Sequence, residues 1–129
     1  MTMKIGHSLA DFGGIILDVD PTYAEMLERD PREIVGRHLL EITDPRDRGN
    51  NLALLDGLRD EGRSYIITKR YVRGDGSLVK VRNHVSIFRD GLGAPRLVAA
   101  TEWLGIDEGP IDTLPSAYAM ADSIEFYGR

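Results

Sequence analysis

The chain has 129 residues, 42% of them apolar and 29% charged, with a net charge of −5 and no cysteine. That length suits one domain with one core, and the absence of cysteine excludes disulfides, thiolate zinc sites, Fe–S clusters and a cysteine nucleophile. The acidic balance works against a phosphate backbone, so no nucleic-acid partner is expected; no run approaches the roughly 20 apolar residues that span a bilayer, so a cytoplasmic protein without membrane insertion is expected.

Residues 1–12 are mixed in character and read as an N-terminal arm. Met3-Lys4-Ile5 and Ser8-Leu9-Ala10 fit either a short strand or a loose segment. The run Gly14-Ile15-Ile16-Leu17-Asp18-Val19 is compact, apolar and β-branched, which predicts a buried strand.

Three Asp-Pro steps follow: Asp20-Pro21, Asp30-Pro31 and Asp44-Pro45. An aspartate accepts from the free N–H groups of a helix start, and proline in the first turn gives up no bond the helix needs. Glu33, three residues after Asp30, completes a capping-box pattern. Asp47 lies in the first turn of the third helix, where negative charge suits the dipole. Three helices are therefore predicted, the first two short. The third carries Leu52, Leu55 and Leu58 on an apolar face beside Leu54 and ends near Gly62.

From residue 63 the period changes. Arg63 to Arg73, Leu78 to Arg89 and Pro95 to Leu104 read as three antiparallel strands, separated by the turns Gly74-Asp75-Gly76 and Asp90-Gly91-Leu92-Gly93. In the middle strand Val79, Val81, Val85 and Ile87 share one face with Asn83, while Lys80, Arg82, His84 and Ser86 share the other. Lys69, Arg70, Arg73, Lys80 and Arg82 are expected to charge the outer side of the sheet. Residues 105–129 form a tail broken by Gly105, Gly109, Pro110 and Pro115. Tyr118, Ile124, Phe126 and Tyr127 predict a short docking helix there.

The ordered pattern resembles the PAS domain family. Asp18-Val19-Asp20-Pro21-Thr22-Tyr23-Ala24-Glu25-Met26-Leu27 is similar to the family's "V-N-P-A-F-x-x-x-L" segment. Glu33-Ile34-Val35-Gly36-Arg37 is similar to "E-E-L-I-G-R/K", and Thr43-Asp44-Pro45-Arg46-Asp47-Arg48 to "x-H-P-D-D-R". Arg70 to Ser77 resembles "x-Y-R-x-K-D-G-S", and Arg89 to Pro95 resembles "R-D-x-x-G-x-P". The resemblance implies an α+β domain over residues 13–104: a five-stranded antiparallel sheet with short helices and one longer helix covering one face around a small pocket. Two departures stand out. The family's first strand has only residues 1–13 to draw on, so it is expected to be short, irregular or donated by another chain. The closing "D-I-T" motif reads Glu102-Trp103-Leu104-Gly105 here, which favours a standalone module acting by association.

The family's cofactors are read against the same residues. Flavin members that form a light adduct place a cysteine where Leu39 stands, so a covalent flavin adduct is excluded. Haem members place a histidine on the long helix, where this chain has Asn50-Asn51-Leu52, so haem is not expected. Asn83 falls on the apolar face of its strand, and a buried amide must find partners. It is either a satisfied core amide or a ligand contact with Tyr71 and Thr101 as companions. With Val81, Leu55 and Leu52 these residues form the candidate pocket. No metal site or catalytic residue is expected, because helix capping accounts for the Asp-Pro carboxylates and no acid–base constellation appears.

Two functional readings follow from the resemblance. One is a sensor and protein-interaction module of signal transduction, a homodimer that tunes a partner such as a histidine kinase. The other is a small-molecule sensor for a metabolite or fatty acid. A small α+β enzyme is a third reading that lacks a catalytic constellation.

Overall fold

The computed structural model describes residues 4–107. In chain order the elements are β1 (Ile5–Asp11), β2 (Ile16–Val19), α1 (Pro21–Leu27), α2 (Pro31–Ile34), a 3-10 turn (Leu39–Ile42), α3 (Pro45–Glu61), β3 (Tyr65–Val72), β4 (Leu78–Arg89) and β5 (Pro95–Ile106). The strands form one antiparallel sheet in the order β2-β1-β5-β4-β3. The α+β expectation holds, and the meander β3-β4-β5 lies where the alternation put it. The helix predicted in the tail falls outside the described residues.

The N-terminal segment takes the short-strand alternative: residues 5–11 form β1, which lies between β2 and β5 and is supplied by this chain. Ser8 pairs with Val19 on one side and with Ala99 on the other. Its partner β5 is some ninety residues away in sequence, a pairing that local pattern does not reveal. Gly6 shows why the strand reads so poorly. A methyl at its Cα would sit 2.7 Å from the backbone of Tyr23, so α1 rests directly on the glycine.

All three aspartates cap as predicted. Asp20 accepts from Tyr23 N–H at 2.8 Å, and Asp30 accepts from Arg32 N–H at 2.9 Å within a full capping box. Asp44 accepts from Arg46 N–H at 2.9 Å and pairs with its guanidinium at 2.7 Å. The loop segments between helices also shield the sheet edges. Thr43 bridges to Tyr71, Asp44 N–H donates to Arg70 O, and Asp47 takes the Arg70 N–H, so the edge of β3 is partly covered. Ile15 bridges to His38, which does the same for β2.

The helices all lie on one face of the sheet. Two apolar clusters fill the space. One holds Tyr23, Ile34, Ile42, Tyr71, Val79 and Val81; the other holds Ala10, Leu55, Leu58, Val85 and Leu97. The helix α3 turns a different side inward than leucine spacing predicts. Its buried residues are Arg48, Asn51, Leu55 and Leu58, while Leu52 is only half-buried and belongs to neither cluster. The reason is Asn51, which an interior partner draws inward.

Two outcomes test this packing. Gly6→Ala should destabilise the domain by about 1–3 kcal/mol in urea denaturation, because the added methyl forces α1 off the sheet. The usual entropic gain of a glycine-to-alanine change is outweighed. Burial raises the Asp44 carboxyl, but the Arg46 guanidinium and backbone N–H outweigh burial and hold it below the usual carboxylate range. A depressed carboxylate stabilises above its unfolded pKa and loses that contribution as pH falls through its folded pKa. Asp44→Ala should therefore cost about 1–2 kcal/mol at pH 7, and wild type and variant should converge in acid.

Candidate functional site

The two clusters are divided by polar side chains. On β4 Asn83 separates Val81 from Val85, and on β5 Thr101 separates Ala99 from Trp103; Asn83 and Thr101 are directly paired across the strands. Asn83 and Thr101 are buried, as alternation implied. Asn83 Nδ2 donates to Tyr71 Oη at 2.8 Å, which joins two of the residues singled out from sequence. Asn83 Oδ1 and Thr101 Oγ1 have no hydrogen-bond partner; the third such buried side-chain atom among the described residues is Arg29 Nε, outside this seam. Buried polar atoms without partners are uncommon.

Lys69 extends the seam and corrects the sequence reading. It was grouped with Arg70 on the outer side, yet it is 3% exposed and lies on the inner face. Its Nζ donates to Thr43 Oγ1 at 3.0 Å and to Asn51 Oδ1, and sits 4.7 Å from the centre of the Tyr71 ring. Burial lowers its pKa, with Tyr71 and the more distant Asp47 acting in the opposite direction. The Asp47 carboxylate is itself held by the Arg70 guanidinium at 2.8 and 3.0 Å. Asn51 passes the network on, donating from Nδ2 to Tyr65 Oη at 3.3 Å.

Ser8, Ala10, Ile16, Tyr23, Leu39, Tyr65, Lys69, Tyr71, Asn83, Val85, Leu97 and Ala99 enclose an internal cavity of about 30 Å³. That is room for one or two waters or a group of similar size. That volume is far below a flavin, a haem or a fatty-acid chain. The phenols of Tyr23 and Tyr65 that face it stay protonated. Burial pushes Tyr65 up to about 12 and Tyr23 well above its ordinary value.

Of the six residues proposed for the pocket, Tyr71 and Asn83 line the cavity and Thr101 adjoins Asn83. Val81 and Leu55 belong to the flanking clusters, and Leu52 stands apart. Lys69, Asn51, Tyr23, Tyr65 and Ser8 were missed. Alternation from Tyr71 placed Lys69 inside, but its charge argued for the surface; Asn51 sits one turn before Leu55 and gave no signal of its own. His38 is used structurally: its Nδ1 accepts from Leu40 N–H at 3.1 Å and its Nε2 lies 3.0 Å from Gly13 O. Among the described residues no group of three His, Asp or Glu side chains could hold a metal ion, and no helix is long and apolar enough to cross a membrane.

Among the described residues no helix lies on the opposite face of the sheet. A cross-strand row of Ile66, His84, Ala100 and His7 runs over it. Val98 and Ser86 flank this row, and a shallow groove of about 590 Å³ lies along it. Ile66 is 61% exposed and Phe88 51%.

Comparison with known proteins places this architecture. The family model described as the PAS fold matches residues 16–101. Among solved structures, the PAS domain of an HTR-like protein from Haloarcula marismortui superimposes with a TM-score of 0.66 at 25% identity, covering 75% of this chain and 78% of that one. The PAS-B domain of Drosophila melanogaster Cycle, in a tryptophan-to-alanine variant with bound glycerol, gives 0.68 at 14% identity over 78% and 98% of the two chains. The wild-type Cycle domain with bound ethylene glycol gives 0.67 at 15% over 74% and 96%. No curated protein matches. A family model spanning more than half the sequence, on a sheet of the same order of elements that the motifs implied, establishes that the chain belongs to the PAS family of sensor and interaction domains.

Proposed function

We propose that this PAS domain is a signalling interaction module that docks through the outer face of its sheet, which no described helix covers, and that its first partner there is a second copy of the chain. The observation that supports this reading is the Ile66-His84-Ala100-His7 row with its groove. An exposed sheet face that mixes apolar and neutral polar side chains inside a charged rim is suited to docking. The centre of the row has no carboxylate, lysine or arginine, so two copies related by a two-fold axis bring no like charges together. The rim is charged but paired: Arg82 meets Glu102 at 3.2 Å, and Arg96 meets Asp90 at 3.3 Å. A downstream signalling protein such as a histidine kinase would use the same face and compete with the second copy.

A second reading, that the domain also senses a small molecule, is favoured by the unpartnered Asn83 Oδ1 and Thr101 Oγ1 beside the internal cavity. The two readings are compatible. Successive residues of β3, β4 and β5 face the cavity and the groove in turn, so a ligand inside acts on the strands that carry the docking face.

Light scattering over micromolar to submillimolar concentrations tests the docking face. Wild type should populate a dimer. Ile66→Asp should weaken it by about 30-fold or more, equivalent to about 2 kcal/mol at a central contact. The fold should survive because Ile66 is exposed. Leu92→Asp, on the β4–β5 turn, should leave the dimer unchanged. A monomer at every concentration, or a dimer indifferent to Ile66→Asp, would remove this reading.

A further inference from the structure

Lys69 is the most unusual buried group in the described chain. Its Nζ is surrounded by the neutral oxygens of Thr43 and Asn51 and by the face of the Tyr71 ring. The other ionisable groups facing the cavity are the phenols of Tyr23, Tyr65 and Tyr71. The one carboxylate acting on it, Asp47, is beyond ion-pair distance and already engaged by Arg70, and a buried ammonium without a close counter-charge is costly. Tethering α3 to the sheet does not require a lysine, since a neutral donor would serve Asn51 and Thr43 as well.

The cavity adds a second, independent feature. Asn83 lines it and keeps one amide atom without a partner. Its bond to Tyr71 does not depend on which way the amide is turned, because the phenol can donate to Oδ1 as readily as it accepts from Nδ2. With the amide turned over, the free group is an N–H donor. The remaining wall combines the hydroxyls of Ser8, Tyr23 and Tyr65 with the alkyl surfaces of Ile16, Leu39 and Val85.

We propose that this cavity binds a small monocarboxylate, with Lys69 as its counter-ion and Asn83 as a second hydrogen-bond donor. The proposal rests on the reading of the cavity as a ligand site and names the class of ligand. One lysine balances one negative charge, which suits a carboxylate better than a phosphate. The volume of about 30 Å³ suits an anion of formate or acetate size, with the alkyl walls against its apolar end. Charge-assisted hydrogen bonds supply the preference over a neutral ligand of the same shape.

The test is an NMR titration of the ¹⁵N-labelled full chain with acetate and, separately, with its neutral isostere acetamide, at ionic strength held constant with chloride. The readout is the amide signals of residues 67–71, 81–85 and 99–103. Acetate should saturate these signals with a Kd about tenfold or more below that of acetamide. In Lys69→Met that preference should vanish while acetamide still binds. Equal affinities of wild type for the two isosteres, or acetate shifts scattered over surface residues, would overturn the carboxylate assignment and leave a neutral-ligand cavity standing. No response of these signals to either compound would remove the cavity reading as well. The wild-type comparison alone decides the matter if Lys69→Met fails to fold.

Discussion

The reach of Lys69 across the core is the contact around which the domain is arranged. A strand on the far side of the sheet from β2 sends one ammonium inward to Thr43, just before the cap of α3, and to Asn51 in its second turn. That contact turns the polar side of α3 toward the sheet, with Leu55 and Leu58 following one and two turns later onto Val85 and Leu97. It also explains the half-exposure of Leu52. A helix facing the sheet through leucines alone would be rotated about its axis and would leave Asn51 in water. The link adds a polar tie between two apolar clusters that Leu39 also bridges.

The polar seam and the outer sheet face are two sides of the same strands. Lys69 is followed by Arg70, Asn83 by His84, and Thr101 is preceded by Ala100, so each seam residue has a chain neighbour on the outer face. Side chains alternate across a strand without exception unless a bulge intervenes. The β4–β5 bulge lies at Lys80/Val81, next to the seam. A change in what Asn83 or Lys69 contacts is thus felt by backbone that also presents the row from His7 to Ile66. No long-range relay is required, because the two surfaces share peptide groups.

Much of this was legible in the order of residues. The Asp-Pro steps locate helix starts because capping is local: an aspartate meets N–H groups two or three residues ahead, whatever lies elsewhere. The faces of β4 follow from period-two alternation, and Asn83 stood out because it breaks an apolar face. The strand β1 was not legible in the same way. Its sequence Ile-Gly-His-Ser-Leu-Ala-Asp alternates weakly, since the glycine is needed for the approach of α1 and His7 and Leu9 face the open side of the sheet. Lys69 was misplaced for an opposite reason. Alternation from Tyr71 points it inward, whereas the general cost of burying an amine predicts the outer side.

Residue order alone determined the short-range features: where helices begin, where the glycine turns lie, which residues of β4 share a face, and the family to which these motifs lead. Tertiary structure decided the pairing of β1 with β5, the rotation of α3, and the enclosure of Lys69, Tyr71 and Asn83 around one cavity. The division has a simple cause. Capping, turns and alternation act over a few residues, whereas a strand's partner and a buried amine's surroundings are set by segments tens of residues away.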